Sequence, residues 1–368
     1  MFSKFKIFSS ILTLGIVFTL TTYADEQFKI GKFQSRAIFR TAKNMNESDT
    51  APLIILIPGS GANGPEEMMP PALTADGKEH SLFSEFSAPL NEGGIHTLAV
   101  GKPGVDFFPG WDHREQWFYD QTLYKNLHWQ DLIDNVSEAV KFSMNLPQVD
   151  KNHIYLLGHS EGTQVVVDYA SKNSDVVGLI LLGYSGEDMA SILDWQLFKR
   201  AIEFFVEPDV DTNKDGIITR EEASKWPELS IPWQDGQSQI SIEEIEVMMR
   251  NYPPLQEIYH QAETAPLYDN GIFKRGSLYD LTASLKQSLY IFTGELDVQT
   301  PAREAQKLKN TCDPVGRTNC QVTIVPGLGH GFSEPKSPRK HPLLDITLGP
   351  VDVCFQEILL NLAESLTI

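Results

Sequence analysis

The chain is poor in cysteine, in positive charge and in long apolar runs. Its three cysteines lack the Cys/His spacing of a metal site. Lys and Arg number 30 against 49 Asp and Glu, and the net charge of −19 argues against nucleic acid and anionic membranes as partners. After residue 24 no run reaches the ~18 apolar residues of a membrane span. The sequence also lacks internal repeats, a dinucleotide fingerprint and a phosphate-binding Gly-Lys-Ser/Thr loop.

Residues 1–24 have the layout of a secretory signal peptide. Lys4 and Lys6 precede an apolar stretch over residues 7–20, and small residues end at Ala24. The stretch is short for a transmembrane helix, although an uncleaved anchor is the alternative. We therefore predict an exported protein, periplasmic or secreted, with no stable membrane span.

The apolar pattern after the signal predicts an α/β fold. Short apolar runs typical of buried parallel strands alternate with helical patterns and cover residues 52–57, 95–100, 153–158, 176–183, 288–294 and 320–325. This alternation predicts a mostly parallel central sheet flanked by helices. It is interrupted over residues 185–284, which are acidic and helical. We interpret that segment as an inserted lid between two parts of one core, 25–184 and 285–368.

A nucleophile motif stands at residues 158–162, Gly-His-Ser-Glu-Gly. It follows an apolar strand and precedes a helical pattern, which is the context that a G-x-S-x-G elbow requires. Such an elbow lifts the hydroxyl of Ser160 off the sheet. The backbone N–H of Glu161 then points toward an oxyanion forming beside Ser160. The alternative reading is an ordinary glycine-rich turn.

Candidate partners of Ser160 follow two later strands. Asp297, with Glu295 as second choice, comes after the strand ending at residue 294, and His330 lies in a glycine-rich loop after residue 325. The order Ser…Asp…His matches the hydrolase order. His341 and His159 are weaker candidates for the base, since His159 is predicted to point away from Ser160.

A second glycine-rich loop, Pro-Gly-Ser-Gly-Ala-Asn-Gly at 58–64, follows the first buried strand. Its free N–H groups, that of Ser60 first, could hold an oxyanion, although a plain turn is the alternative. Residues 107–129 are rich in aromatic side chains. We favour a satellite hydrophobic cluster there over a wall of the substrate site.

Residues 211–222 match the twelve-residue calcium loop of an EF-hand. Gly216 stands at the sharp turn and Ile218 at the apolar anchor. The predicted ligands are Asp211, Asn213, Asp215, the carbonyl of Ile217, Thr219 and the bidentate Glu222. We expect a structural Ca²⁺ in the lid, and no cofactor for catalysis. The alternative is a solvated acidic turn.

A partner loop for this calcium site is doubtful in the sequence. Residues 233–244 have Asp235, Ile240 and Glu244 at matching offsets, but Trp233 replaces the first ligand. The spacing is also short for an EF-hand pair. We interpret this segment as a structural support or a coincidence.

The three cysteines permit two pairings in an oxidising compartment. Cys312 and Cys320 flank a short loop and are the favoured pair. Cys320 with Cys354 is the alternative, and either pairing leaves one thiol.

With these motifs the chain resembles the α/β-hydrolases over most of residues 27–368, the lid excepted. It is most similar to the branch near the prolyl-oligopeptidase-like and dienelactone-hydrolase-like enzymes. The resemblance implies Ser160 as nucleophile, Asp297 and His330 as its partners, and the N–H groups of Ser60 and Glu161 as oxyanion donors. Many members carry His-Gly where this chain has Pro-Gly at 58–59. An EF-hand loop is no hallmark of the family.

The sequence therefore predicts an exported serine hydrolase that acts on a small carboxylic ester through an acyl-enzyme. A small peptidase or aminopeptidase, or a thioesterase, is the alternative among enzymes. A calcium-dependent binding protein on an inactive hydrolase scaffold is the alternative outside them. The sequence leaves the acyl group, the leaving group and the oligomeric state open.

Overall fold

A computed structural model describes residues 25–43, 45–46, 49–226, 231–313, 317–335 and 348–367. The predicted signal peptide lies outside these residues and stays a prediction. The central sheet has eight strands. Their bounds are β1 Glu26–Ile30, β2 Ser35–Arg40, β3 Ala51–Ile57, β4 His96–Val100, β5 Val149–His159, β6 Gly178–Leu182, β7 Ser288–Gly294 and β8 Cys320–Val325.

The strands lie in the order β1-β2-β4-β3-β5-β6-β7-β8. β2 is antiparallel to both its neighbours, and the strands from β4 to β8 are mutually parallel. The predicted mostly parallel sheet is thereby confirmed. Because parallel strands end at the same edge, the loops that follow β3, β5, β7 and β8 meet there.

Helices cover both faces of the sheet. The core helices are α1 Leu82–Glu92, α2 Trp129–Ser143, α3 Glu161–Ala170, α4 Ala302–Cys312 and α5 Val353–Leu366. Apolar residues of α2, α3 and α4 pack against one face and those of α1 and α5 against the other. The central strands are therefore rich in apolar residues, since neither of their faces meets water.

Residues between β6 and β7 add no strand to this sheet in the part of the segment that the structure describes. Their helices are Met189–Asp194, the π-helical Trp195–Lys199 and Ile202–Val210, Arg220–Ser224, Ile242–Arg250, Pro253–Glu263, the 3₁₀ turn Pro266–Tyr268, and Tyr279–Ser284. A separate apolar cluster around Phe205 and Ile218 stabilises the middle of the segment. Its role as a lid stays a prediction.

Short elements complete the described chain. Met68–Met69 pairs with His80–Ser81, and Pro71–Leu73, Arg114–Gln116 and Gln121–Lys125 form short helices. The favoured disulfide between Cys312 and Cys320 is present, and Cys354 is an exposed free thiol. Across the described ranges, none of the helices is both long and apolar enough to cross a membrane.

Candidate active site

Ser160 lies on a strained turn between β5 and α3. Its φ of 53° and ψ of −122° are unusual for a residue other than glycine. A Cβ on Gly158 would come within 2.4 Å of the Gly162 carbonyl oxygen, and one on Gly162 within 2.3 Å of that of Ile57. Both glycines are therefore needed for the helix to start this close to the sheet. This is the geometry predicted for a nucleophile elbow.

His330 and Asp297 form a buried pair next to this turn. The Nδ1 of His330 lies 2.8 Å from Oδ2 of Asp297, and the two side chains are 6% and 0% exposed. The other carboxylate oxygen of Asp297 accepts the backbone N–H groups of Gln299 and Thr300. Glu295, the second choice from the sequence, instead accepts the exposed N–H of Gly327. Asp297 is therefore the carboxylate that orients His330.

The surroundings of Asp297 favour its charged form. Burial alone would raise the pKa of this carboxyl, but His330 and the N–H groups of Thr300 and Gln299 outweigh it and hold the pKa below its ordinary value. The bond from Nδ1 leaves Nε2 of His330 free to accept a proton.

The predicted site residues meet around two cavities. Ser160, His330 and Ser60 line a cavity of 310 Å³. Ser160, Ser60 and Glu161 also line a second cavity of 150 Å³, whose remaining wall comes largely from apolar side chains of the inserted segment. The structure thus brings Ser160, Asp297, His330, Ser60 and Glu161 to one edge of the sheet.

Of the other two histidine candidates, only His159 lies within the described residues, and it also lines the 310 Å³ cavity. The side chain of His159 is buried, and its Nδ1 contacts Glu67. His341 lies outside the described residues.

The Glu161 side chain has a role that the sequence did not indicate. Its carboxylate accepts Lys102 Nζ at 2.7 Å, and the hydroxyl of Tyr268 donates to its second oxygen. Lys102 and Glu161 are 5% and 2% exposed, so this ion pair is buried beside the nucleophile. Burial, and then the Glu161 charge, raise the pKa of Tyr268 well above its ordinary value. Because Tyr268 belongs to the inserted segment, its hydrogen bond to Glu161 joins that segment to the elbow.

The aromatic region after β4 has features of both a satellite hydrophobic cluster and a wall of the site, the two interpretations that the sequence allowed. Trp111 packs against Phe108 and Trp117 at ring distances of 5.0 and 5.1 Å. The same Trp111 lines the 310 Å³ cavity. The cluster therefore packs on itself and also contributes one side chain to the wall of the site.

The predicted calcium loop adopts a tight turn with Gly216 at a φ of +76°. Asp211 accepts the N–H groups of Asp215 and Gly216. The carboxylate of Glu222 accepts hydrogen bonds from Thr212 and Thr219. In the described ranges, no three His, Cys, Asp or Glu side chains are placed close enough to hold a metal ion. The oxygen donor set fits a hard cation, but binding requires Glu222 to exchange its hydrogen bonds for the ion.

Residues 233–244 support this loop directly. Strand Ile217–Thr219 pairs with Gln239–Ser241 in antiparallel register, which places Ile218 opposite Ile240. Capping boxes follow both strands, Thr219 with Glu222 and Ser241 with Glu244. The second segment is therefore a structural partner of the first, which is one of the two readings that the sequence allowed.

Comparisons with known proteins identify the fold. An acylaminoacyl peptidase of Pyrococcus horikoshii matches 93% of this chain at a TM-score of 0.50 and 12% identity, and this chain covers 41% of it. Est1E from Butyrivibrio proteoclasticus matches 93% at a TM-score of 0.47 and 15% identity, with 98% of its own length covered. No family model and no curated protein matches the sequence. The chain has the α/β-hydrolase fold.

We expect Lys102→Met to lower the free energy of unfolding by about 3–5 kcal/mol, because it leaves the Glu161 carboxylate buried without its cation. Lys32→Met is the matched control, since the Lys32–Asp134 pair is exposed and should be worth no more than about 1 kcal/mol. Urea denaturation of both variants measures the difference. Equal losses of unfolding free energy in the two variants would contradict this prediction, because they would show that leaving Glu161 buried without its cation has no extra cost.

Proposed function

We propose that this protein is a serine hydrolase that cleaves a small carboxylic ester, with Ser160 as nucleophile. One observation carries the proposal. His330, joined to the buried Asp297 at 2.8 Å, lines the same cavity as a serine on a strained strand-to-helix turn. The α/β-hydrolase fold agrees with this assignment but does not by itself define a reaction.

In the proposed reaction, His330 Nε2 takes the proton of Ser160 as its oxygen attacks the ester carbonyl. Asp297 holds the imidazole in the required tautomer and stabilises its charged form. The backbone N–H groups of Ser60 and Glu161 would stabilise the oxyanion of the tetrahedral intermediate. His330 then protonates the departing alcohol, and an acyl-enzyme remains on Ser160. Water, deprotonated by His330, then attacks the acyl-enzyme. The acid is released as His330 returns that proton to the departing Ser160 oxygen.

The charges around the two cavities favour an ester over an aminopeptidase substrate. A free amino terminus needs a carboxylate that can pair with it. The described residues lining these cavities include two carboxylates, Glu67 and Glu161. Each already has a partner, His159 for the first and Lys102 for the second. The alternatives are a peptidase that acts on peptides without a free amino terminus, and a thioesterase. Comparing the rates on ester, amide and thioester substrates distinguishes them.

We expect a fluorophosphonate probe to add one adduct to the intact wild-type protein and none to Ser160→Ala. Ser171→Ala is the matched control, because Ser171 is an exposed serine at the end of α3. Intact-mass spectrometry measures the adduct. Absence of labelling on folded wild type would contradict the hydrolase proposal and favour a binding protein on an inactive scaffold.

For the inserted segment, we propose a structural Ca²⁺ held by Asp211, Asn213, Asp215, the carbonyl of Ile217, Thr219 and Glu222. The support is the twelve-residue motif, the turn at Gly216 and the paired strand beneath it. Export after cleavage of residues 1–24, suggested by the sequence, would place the loop where millimolar calcium is available. The ion would stabilise the fold by binding only the native state.

We expect calcium titration to find one site in the wild type and none in Glu222→Gln, because the bidentate ligand is lost. Calcium at 100 times the dissociation constant should raise the free energy of unfolding by about 2.7 kcal/mol. Glu244→Gln is the control, since Glu244 holds the equivalent place in the supporting segment. Isothermal titration and denaturation with and without chelator measure both effects. Binding retained by Glu222→Gln, or lost equally in Glu244→Gln, would contradict the assignment.

A further inference from the structure

A second buried acid–histidine pair lies in the wall of the 310 Å³ cavity of the candidate active site. Glu67 Oε1 lies 2.9 Å from Nδ1 of His159, and the side chains are each 3% exposed. The same oxygen accepts the N–H of Gly59 at 3.0 Å. Glu67 has a φ of 45°, a conformation that non-glycine residues adopt at a cost. The pair therefore fixes the loop that precedes Ser60.

His159 also contacts the loop that carries His330. Its Nε2 lies 3.3 Å from the backbone carbonyl oxygen of His330, and the two imidazole rings are 4.9 Å apart. A carboxylate and a backbone carbonyl both accept hydrogen bonds, so each ring nitrogen of His159 must carry a hydrogen to make the two bonds. The geometry therefore favours His159 in its charged, doubly protonated form.

We propose that His159, held charged by Glu67, is a positioning residue that opposes a second positive charge on His330, the base of the proposed reaction. The proposal rests on the hydrolase function proposed above. It adds a second histidine to the site, which touches neither the nucleophile nor a reacting atom. His159 acts through the ring and backbone of His330.

The direction of the effect follows from charge repulsion. A cation 4.9 Å from the His330 ring disfavours a second imidazolium there. Removing the charge of His159 should move the acid limit of activity to higher pH.

The charged neighbours of the two rings agree with this reading. Burial alone would lower the pKa of His159, but Glu67 first, then the His330 carbonyl and Asp297, raise it above its ordinary value. Arg200 of the inserted segment is a buried cation that acts on Asp297. On the α1 side, His159 meets the ring of Phe86, which carries no charge. Glu67 contacts Nδ1 of His159, whereas the His330 carbonyl contacts Nε2, so the two groups bond to different nitrogens of the ring.

The test measures the rate of fluorophosphonate labelling between pH 4 and pH 9, because this rate needs no knowledge of the substrate. We expect the acid midpoint of His159→Gln to rise by about one pH unit, the order that a neighbouring charge produces. Glu67→Gln should shift it in the same direction, since His159 then loses its counter-charge. His96→Gln is the matched control. His96 is a fully buried imidazole at the opposite end of the strands, bonded to Ala42 N–H and the Gln148 carbonyl.

The proposal would be overturned if His159→Gln and Glu67→Gln both lowered the maximal labelling rate without moving the acid midpoint. That result would show a purely structural role. Nitrogen NMR of histidine-labelled wild type gives a readout that needs no variant to fold. We expect both ring nitrogens of His159 to be protonated at pH 7.5, and a neutral ring would overturn the proposal as well. If wild type is never labelled, the hydrolase function fails, while NMR still decides whether His159 is charged.

Discussion

The hydrogen bond between His330 Nδ1 and Asp297 Oδ2 joins two loops that leave neighbouring parallel strands. β7 and β8 pair in register, with Gly294 opposite Val325, so the loops that follow them start side by side. The elbow after β5 reaches the same edge of the sheet. The candidate serine, histidine and aspartate come from three separate loops and can meet only where this edge is continuous. The parallel sheet is therefore the constraint on which the candidate site depends.

The inserted segment is bonded to this site through several side chains. Tyr268 donates to the carboxylate of Glu161 beside the nucleophile. Arg200 donates to the carbonyl of Val298, next to Asp297, and Gln196 to that of Gln299. The π-helix Ile202–Val210 then runs from this contact to the proposed calcium loop, which begins at Asp211. The inserted segment thus forms part of the wall of the site and also supports the loop that carries Asp297.

Much of this arrangement could be predicted from the sequence, because local patterns encode it. Continuous apolar runs indicated the buried parallel strands, and the motif around Ser160 indicated the strained turn. The buried ion pairs could not be predicted in this way. Lys102 is 59 positions from Glu161, Tyr268 is 107 positions from it, and Glu67 is 92 positions from His159. Contacts of this separation leave no periodic signal in a single sequence.

The choice between Asp297 and Glu295 tests the account most directly, because the sequence allowed both and the structure joins only Asp297 to His330. Asp297→Asn should lower kcat/KM for an ester by about 10³–10⁴-fold, since the amide no longer holds the required tautomer of His330. Glu295→Gln, two residues away on the same loop, should leave it within a few fold. A large loss in Glu295→Gln with near-normal Asp297→Asn would contradict the proposed triad.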